Sequence, residues 1–304
     1  MKRRSFLKNA TILSGGIALS PLNMLSKKIP GQTKFIANYD TESENCLSHL
    51  ETIVDMHIEH KMPATFFIVS NIINNSNKHW LVNILDNPLF EIASHSTSHS
   101  LILPHPLNPN TGNARVEILD SKKRLEDLFG KELYGYATPY GYDEGFKGHK
   151  TVLELVKEAG YKYITTSLWG TGYSLPAPIL DPYSYKGDGY GEIWEMPRHG
   201  WHENVLKGHS STDGIALLQW PSPWPEGAIP KSTIHSPEEE FEVNKVFMNL
   251  AQNENKVYYS PIWHPWSLGR FDPEMKMLDY TFVYAFERGF APSTFFDLYQ
   301  AISH

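Results

Sequence analysis

Cysteine is almost absent from this 304-residue chain: Cys46 is the only one. A single thiol closes no internal disulfide and excludes a cysteine-rich zinc site, so any metal must be held by His, Asp or Glu. Long apolar runs are also missing, and no segment reads as a stable membrane span. Basic charge is scarce in the body. Six of the 27 Lys and Arg residues (Lys2, Arg3, Arg4, Lys8, Lys27, Lys28) fall in the first 28 positions, which leaves 21 cations against 34 acids in the remainder. Neutralising phosphates needs a basic face, so nucleic acid is excluded as a partner. With 41% hydrophobic and 20% charged residues, the chain is neither a disordered polar tail nor a coiled coil. What is plentiful is histidine, fourteen in all, and aromatic residues at 13%. Both suit a site that touches sugar rings and a metal.

Residues 1–30 read as an address. Arg3-Arg4-Ser5-Phe6-Leu7-Lys8 precedes a weakly apolar run over 10–22, broken by Ser14, Gly15, Gly16 and Ser20. This resembles a bacterial twin-arginine export signal, and the expected location is periplasmic or extracellular. No clean small-x-small cleavage motif is present, so the mature start is placed only near 25–32.

Residues 31–304 alternate short apolar runs with amphipathic ones. Strands are expected at 34–38, 64–69, 90–94, 133–138, 163–167, 192–196, 257–263 and 290–294. Helices are expected at 45–60, 77–85, 114–129 (stopped by Gly130), 151–159 (closed by Gly160), 238–251 (started by Ser236-Pro237) and 274–288. Strands alternating with helices predict an α/β fold, a distorted (β/α) barrel of about seven parallel strands in a single domain. A long stretch at about 169–237, rich in Pro, Gly, Tyr and Trp, breaks the pattern and reads as an ordered excursion walling the site. Trp169, Tyr173, Tyr190, Trp220 and Trp224 are its candidate sugar-stacking surfaces, or else its own packing.

Four chemistry-bearing segments fall at strand ends, the face on which α/β barrels build sites. His95-Ser96-Thr97-Ser98-His99 follows the strand at 90–94. Two histidines four apart lie on one face of a helical turn, so both rings can reach one ion. Asp40-Thr41-Glu42 ends the first strand and serves either as a helix N-cap region or as the carboxylate of a metal site with that pair. Tyr136-Ala137-Thr138-Pro139-Tyr140-Gly141 and Trp263-His264-Pro265-Trp266 end two others.

Taken in order, these segments resemble the polysaccharide deacetylases, carbohydrate esterase family four, or NodB-homology fold. The resemblance runs over roughly 34–300. It is carried by Asn38-Tyr39-Asp40-Thr41-Glu42, by Ala64-Thr65-Phe66-Phe67, by the His-[Ser/Thr]-x-x-His motif at His95 and His99, and by His264 within a His-Pro-Trp segment like that of one subset. It implies one divalent ion, zinc by first choice, with His95, His99 and Glu42 as ligands. In the form of the family with adjacent acids, Thr41 would occupy the ligand position instead. It further implies Asp40 as general base, His264 as general acid, and the Tyr140 N–H after Pro139 as an oxyanion donor. The expected reaction is hydrolysis of an N-acetyl, rather than O-acetyl, group on a carbohydrate.

One position departs from the family. Its third motif carries an arginine that orients the base, and this chain has Ala137 there. Arg198, in Glu195-Met196-Pro197-Arg198-His199, is the candidate replacement. The departure keeps two alternatives open: an allantoinase-like hydrolase of another C–N bond, and a non-catalytic glycan-binding relative.

Overall fold

The computed structural model describes residues 32–208, 227–230 and 232–303. Residues 1–30, read above as an export signal, and the candidates Trp220 and Trp224 lie outside them. Within the described residues, no helix is long and apolar enough to cross a membrane.

Ten strands are present among the described residues: β1 (Lys34–Phe35), β2 (Ala37–Thr41), β3 (Ala64–Ile68), β4 (Phe90–Ser94), β5 (Gly135–Tyr142), β6 (Tyr163–Ser167), β7 (Tyr183–Tyr185), β8 (Tyr190–Glu195), β9 (Tyr258–Tyr259) and β10 (Ala291–Pro292). One sheet runs β2-β3-β4-β5-β6-β8-β7, and a second runs β10-β1-β9. From β2 to β8 every neighbour is parallel. β2, β3 and β6 are buried along their whole length, as parallel strands covered on both faces should be. The ring closes through single contacts. After β8, Arg198 N–H donates to Ser167 and His199 N–H to Ser260, while bridges join His202 to Ile262 and Tyr39 to Trp263. The result is the expected barrel, distorted where two-residue strands replace full ladders.

The differences from expectation have local causes. The strand at 34–38 is two strands, because the chain leaves the β9 pairing at Ile36 and enters the β3 pairing at Ala37. Only Tyr258–Tyr259 of 257–263 and Ala291–Pro292 of 290–294 form ladders. Helix 45–60 breaks between Leu47 and Leu50. β7 is an antiparallel edge partner of β8 that the sequence reading missed. Also missed were the helices Pro265–Phe271 and Phe295–Ile302. The second starts with a Thr294–Asp297 capping box.

Other signals translate directly. Gly130 and Gly160 end their helices at φ +62° and +81°, a left-handed cap that glycine adopts without a Cβ clash. Ser236 caps Pro237–Asn253 through Glu239 N–H, with Pro237 in the first turn and three acids behind it.

Candidate active site

The site is assembled on the carboxyl ends of the strands. Side chains alternate along β2, so Asp40 and Glu42 share one side while Thr41 points to the other. Thr41 is fully buried, and its hydroxyl has no hydrogen-bond partner among the described residues. Asp40 and Glu42 both line a pocket of about 290 Å³, together with His95, His99 and His264.

The segment after β4 is not a helical turn. Ser96 and His99 take φ of +74° and +61°, so the two histidines converge through a left-handed kink instead. The kink is held from the neighbouring helical segment. Glu117 accepts from Thr97 N–H, Ser98 N–H and the Ser98 hydroxyl, and the Thr97 hydroxyl donates to the Val116 carbonyl. That segment, Val116–Asp120, is a π-helical bulge, a feature that recurs beside functional sites.

His95 is buried, and its Nδ1 lies 3.1 Å from the Ala137 carbonyl. A carbonyl only accepts, so the ring proton sits on Nδ1 and the Nε2 lone pair faces the site, 3.9 Å from Asp40 Oδ2. His99 Nε2 stands 2.9 Å from Glu42 Oε2, whose other oxygen accepts from Trp266 Nε1–H at 2.7 Å. Ligand atoms of Glu42, His95 and His99 all lie within 4.8 Å of one another. Two imidazoles and one carboxylate, with one ring already in the ligating tautomer, fit a divalent ion such as zinc and leave coordination positions open.

Arg198 and Asp40 come together. Arg198 Nη1 donates to Asp40 Oδ1 at 2.6 Å and to Asn38 Oδ1 at 3.1 Å, and the guanidinium lies 5.3 Å from the Phe67 ring centroid. Burial opposes ionisation of Asp40, but Arg198, followed by His95 and His264, outweighs it and holds the carboxyl below its ordinary pKa. Ala137 is buried in β5 and contributes its carbonyl to His95 rather than a cation to Asp40.

His264 caps the helix Pro265–Phe271. Its Nδ1 lies 2.8 Å from Glu203 Oε2, and its N–H donates to Glu203 Oε1 at 3.1 Å. Nε2 faces Asp40 Oδ2 at 3.8 Å and Glu42 Oε2 at 3.9 Å. Burial pulls the imidazole pKa down, yet the carboxylates of Glu203, Glu42 and Asp40 raise it to about 9. Burial likewise opposes ionisation of Glu42, and His264 and His99 hold it ionised.

Tyr140 lines the pocket with φ +63° and a ring 38% exposed, and its carbonyl accepts from Trp169 Nε1–H at 2.6 Å. Pro139 is buried in β5 and does not line the pocket. Of the aromatic candidates, Trp169 forms part of the wall. Tyr173 packs on His105, and Tyr190 lies elsewhere, bonded to the Lys150 carbonyl. Sequence reasoning missed Glu203 and its neighbour His202. Their only signal was a His-Glu pair inside the aromatic excursion, with no strand of its own in front of it.

A His–His–carboxylate cluster, a buried Asp–Arg pair and a His–Glu pair thus meet at the strand ends of one barrel. Residues 33–164, less than half of the chain, match the family model for polysaccharide deacetylase. No protein of curated function matches the chain in sequence. Among solved structures, a Mycobacterium smegmatis protein assigned to the polysaccharide deacetylases aligns at 17% identity and TM-score 0.62, over 90% of this chain and 91% of its own. Puue allantoinase aligns at 15% and 0.59, over 90% and 91%. A Pseudomonas aeruginosa PAO1 protein, likewise assigned to the polysaccharide deacetylases, aligns at 16% and 0.59, over 88% and 89%. At these identities the likeness is one of fold.

Proposed function

We propose that the protein removes acetyl groups, N-acetyl rather than O-acetyl, from a carbohydrate, with one divalent ion, zinc by first choice, held by Glu42, His95 and His99. The observation that carries the reading is the meeting of those three side chains with Asp40–Arg198 and His264–Glu203 in one pocket. An ion bound there would supply Lewis acidity, lowering the pKa of water and polarising an acyl oxygen. Asp40, kept ionised by Arg198, takes the proton from the attacking water. Charged His264 donates its Nε2 proton to the departing nitrogen, and Glu203 keeps that imidazolium charged and aimed. An amine leaves only when protonated, which is why a histidine whose pKa is about 9 suits an amide better than an ester needs. The Tyr140 N–H is assigned to the oxyanion, and the Trp169 ring to the sugar face.

The non-catalytic reading rested on Ala137, and the Arg198–Asp40 contact removes its motive. The twin-arginine sequence Arg3-Arg4 supports export as the setting for a glycan substrate.

The test is acetate release from a panel of N- and O-acetylated glycans, with and without chelator, beside metal analysis of the protein. About one ion per chain is expected, lost in the His95→Ala plus His99→Ala variant together with chelator-sensitive acetate release. Unchanged metal content in that variant would overturn the ligand assignment.

A further inference from the structure

His202 is a pocket-lining histidine with a fixed tautomer and no task in the chemistry above. It occupies the N-cap position of the short helix Glu203–Leu206, yet its side chain makes no capping bond. Its Nε2 instead lies 3.0 Å from the Leu168 carbonyl. A carbonyl cannot donate, so the proton is on Nε2, and Nδ1 is left as a bare lone pair. Nδ1 has no hydrogen-bond partner among the described residues, and the ring lines the pocket. The ring is only 7% exposed and is held in place by Trp169, whose centroid is 4.5 Å away. Burial lowers the imidazole pKa to about 4, so the ring stays neutral and Nδ1 stays an acceptor at neutral pH.

Its position in the pocket tells which part of a substrate it meets. His202 pairs with Ile262 across a bridge, two residues before His264, and the next residue, Glu203, is the carboxylate that holds His264. The general acid marks the side from which the leaving group departs. On the deacetylase reading, the ring next to Glu203 and His264 is therefore assigned to the leaving-group side, away from the acyl methyl. A secondary amide carries an N–H there, whereas an ester carries an oxygen with lone pairs only.

Resting on the deacetylase reading, we infer that His202 is a specificity-determining residue that accepts a hydrogen bond from the amide N–H of an N-acetylated sugar through Nδ1, and thereby disfavours the O-acetyl counterpart. No proton is transferred to it. His264 supplies the one proton the departing nitrogen needs. An ester oxygen set against Nδ1 brings lone pair against lone pair, and the buried acceptor stays unpaired, which is the costly arrangement.

The test compares methyl N-acetylglucosaminide with methyl 2-O-acetylglucoside, which differ at the scissile group by N–H against O. His202→Phe keeps a ring against Trp169 and removes the acceptor. His202→Asn restores an oxygen near the Nδ1 position. His202→Phe is expected to lower kcat/KM on the amide about tenfold and on the ester less than about twofold, with the amide-to-ester ratio largely restored in His202→Asn. Equal losses on both substrates, or a loss on neither, would overturn the inference. A second arm measures binding of the same two sugars by calorimetry in an Asp40→Asn background, where His202→Phe should weaken the amide sugar alone. Binding is read without turnover, so absence of acetate release would sink the deacetylase reading while the binding ratio still decides on His202.

Discussion

Asp40 and Arg198, 158 residues apart, form a buried ion pair with Nη1 and Oδ1 2.6 Å apart. The cation that the family's third motif would deliver from Ala137 on β5 arrives here from beyond the end of β8. Arg198→Met keeps the volume of the stem and removes the charge. Burial is then less opposed at Asp40, its pKa rises, and the base is lost in part at neutral pH. The expected outcome is a fall in kcat of roughly 10²-fold or more with little change in KM. A stability loss of about 3–5 kcal/mol is also expected, because one partner of a buried pair is left alone. Adding Ala137→Arg should recover part of the lost kcat. Steady-state kinetics and thermal unfolding check this, and an unchanged kcat would refute the assignment.

Glu203 and His264 form a second buried pair in the pocket, with Oε2 and Nδ1 2.8 Å apart. Glu203→Gln retains an acceptor for Nδ1–H but removes the negative charge that most strongly favours the imidazolium. A neutral ring cannot give its Nε2 proton to a leaving amine. Turnover of an amide substrate should drop roughly tenfold or more, and that of an ester with a good leaving group much less. Equal turnover of the amide by Glu203→Gln and the unmodified protein would show that the carboxylate only packs.

His57 gives the fold a predictable acid limit. Its Nδ1 lies 2.7 Å from the Met62 carbonyl, and its Nε2 lies 2.7 Å from the Tyr39 hydroxyl, which can donate only while the ring is neutral. Burial lowers its pKa to about 3. A depressed folded-state pKa contributes stability that is present above the ordinary value of about 6.5 and is lost as the pH falls towards 3. Over that window the unfolded chain binds a proton the folded chain refuses, at about 1.4 kcal/mol per pH unit. His57→Gln should be less stable at neutral pH, and the gap to the unmodified protein should narrow on acidification. Chemical unfolding at pH 7, 5.5 and 4.5 measures it. A constant gap would mean that His57 does not titrate on unfolding.

β4 and β6 were read from the sequence to the residue, and β3 within one, because short runs with aromatic and β-branched residues, bounded by turn and helix-stop signals, mark strands locally. Gly130, Gly160 and Ser236-Pro237 marked helix ends for equally local reasons. β1, β9 and β10 were misjudged in length. A ladder of two residues depends on where its partners sit, which no local propensity records.

The chain alone therefore determined the alternation of strands and helices, and with it the barrel, the strand-end positions of Asp40, Glu42, His95, His99 and His264, and the acidic charge of the body. These follow from hydrophobic period and residue type, which are local. Tertiary structure decided that Glu117 bends the 95–99 segment into a left-handed kink instead of a helical turn, and that Arg198 takes the place left open by Ala137. It also decided that Glu203 and His202, from an excursion without periodic pattern, reach the pocket. Each is a meeting of side chains far apart in the chain. Burying each charge is costly, and the cost is offset only by pairing it in a shared interior, a property of the closed barrel and not of any segment within it.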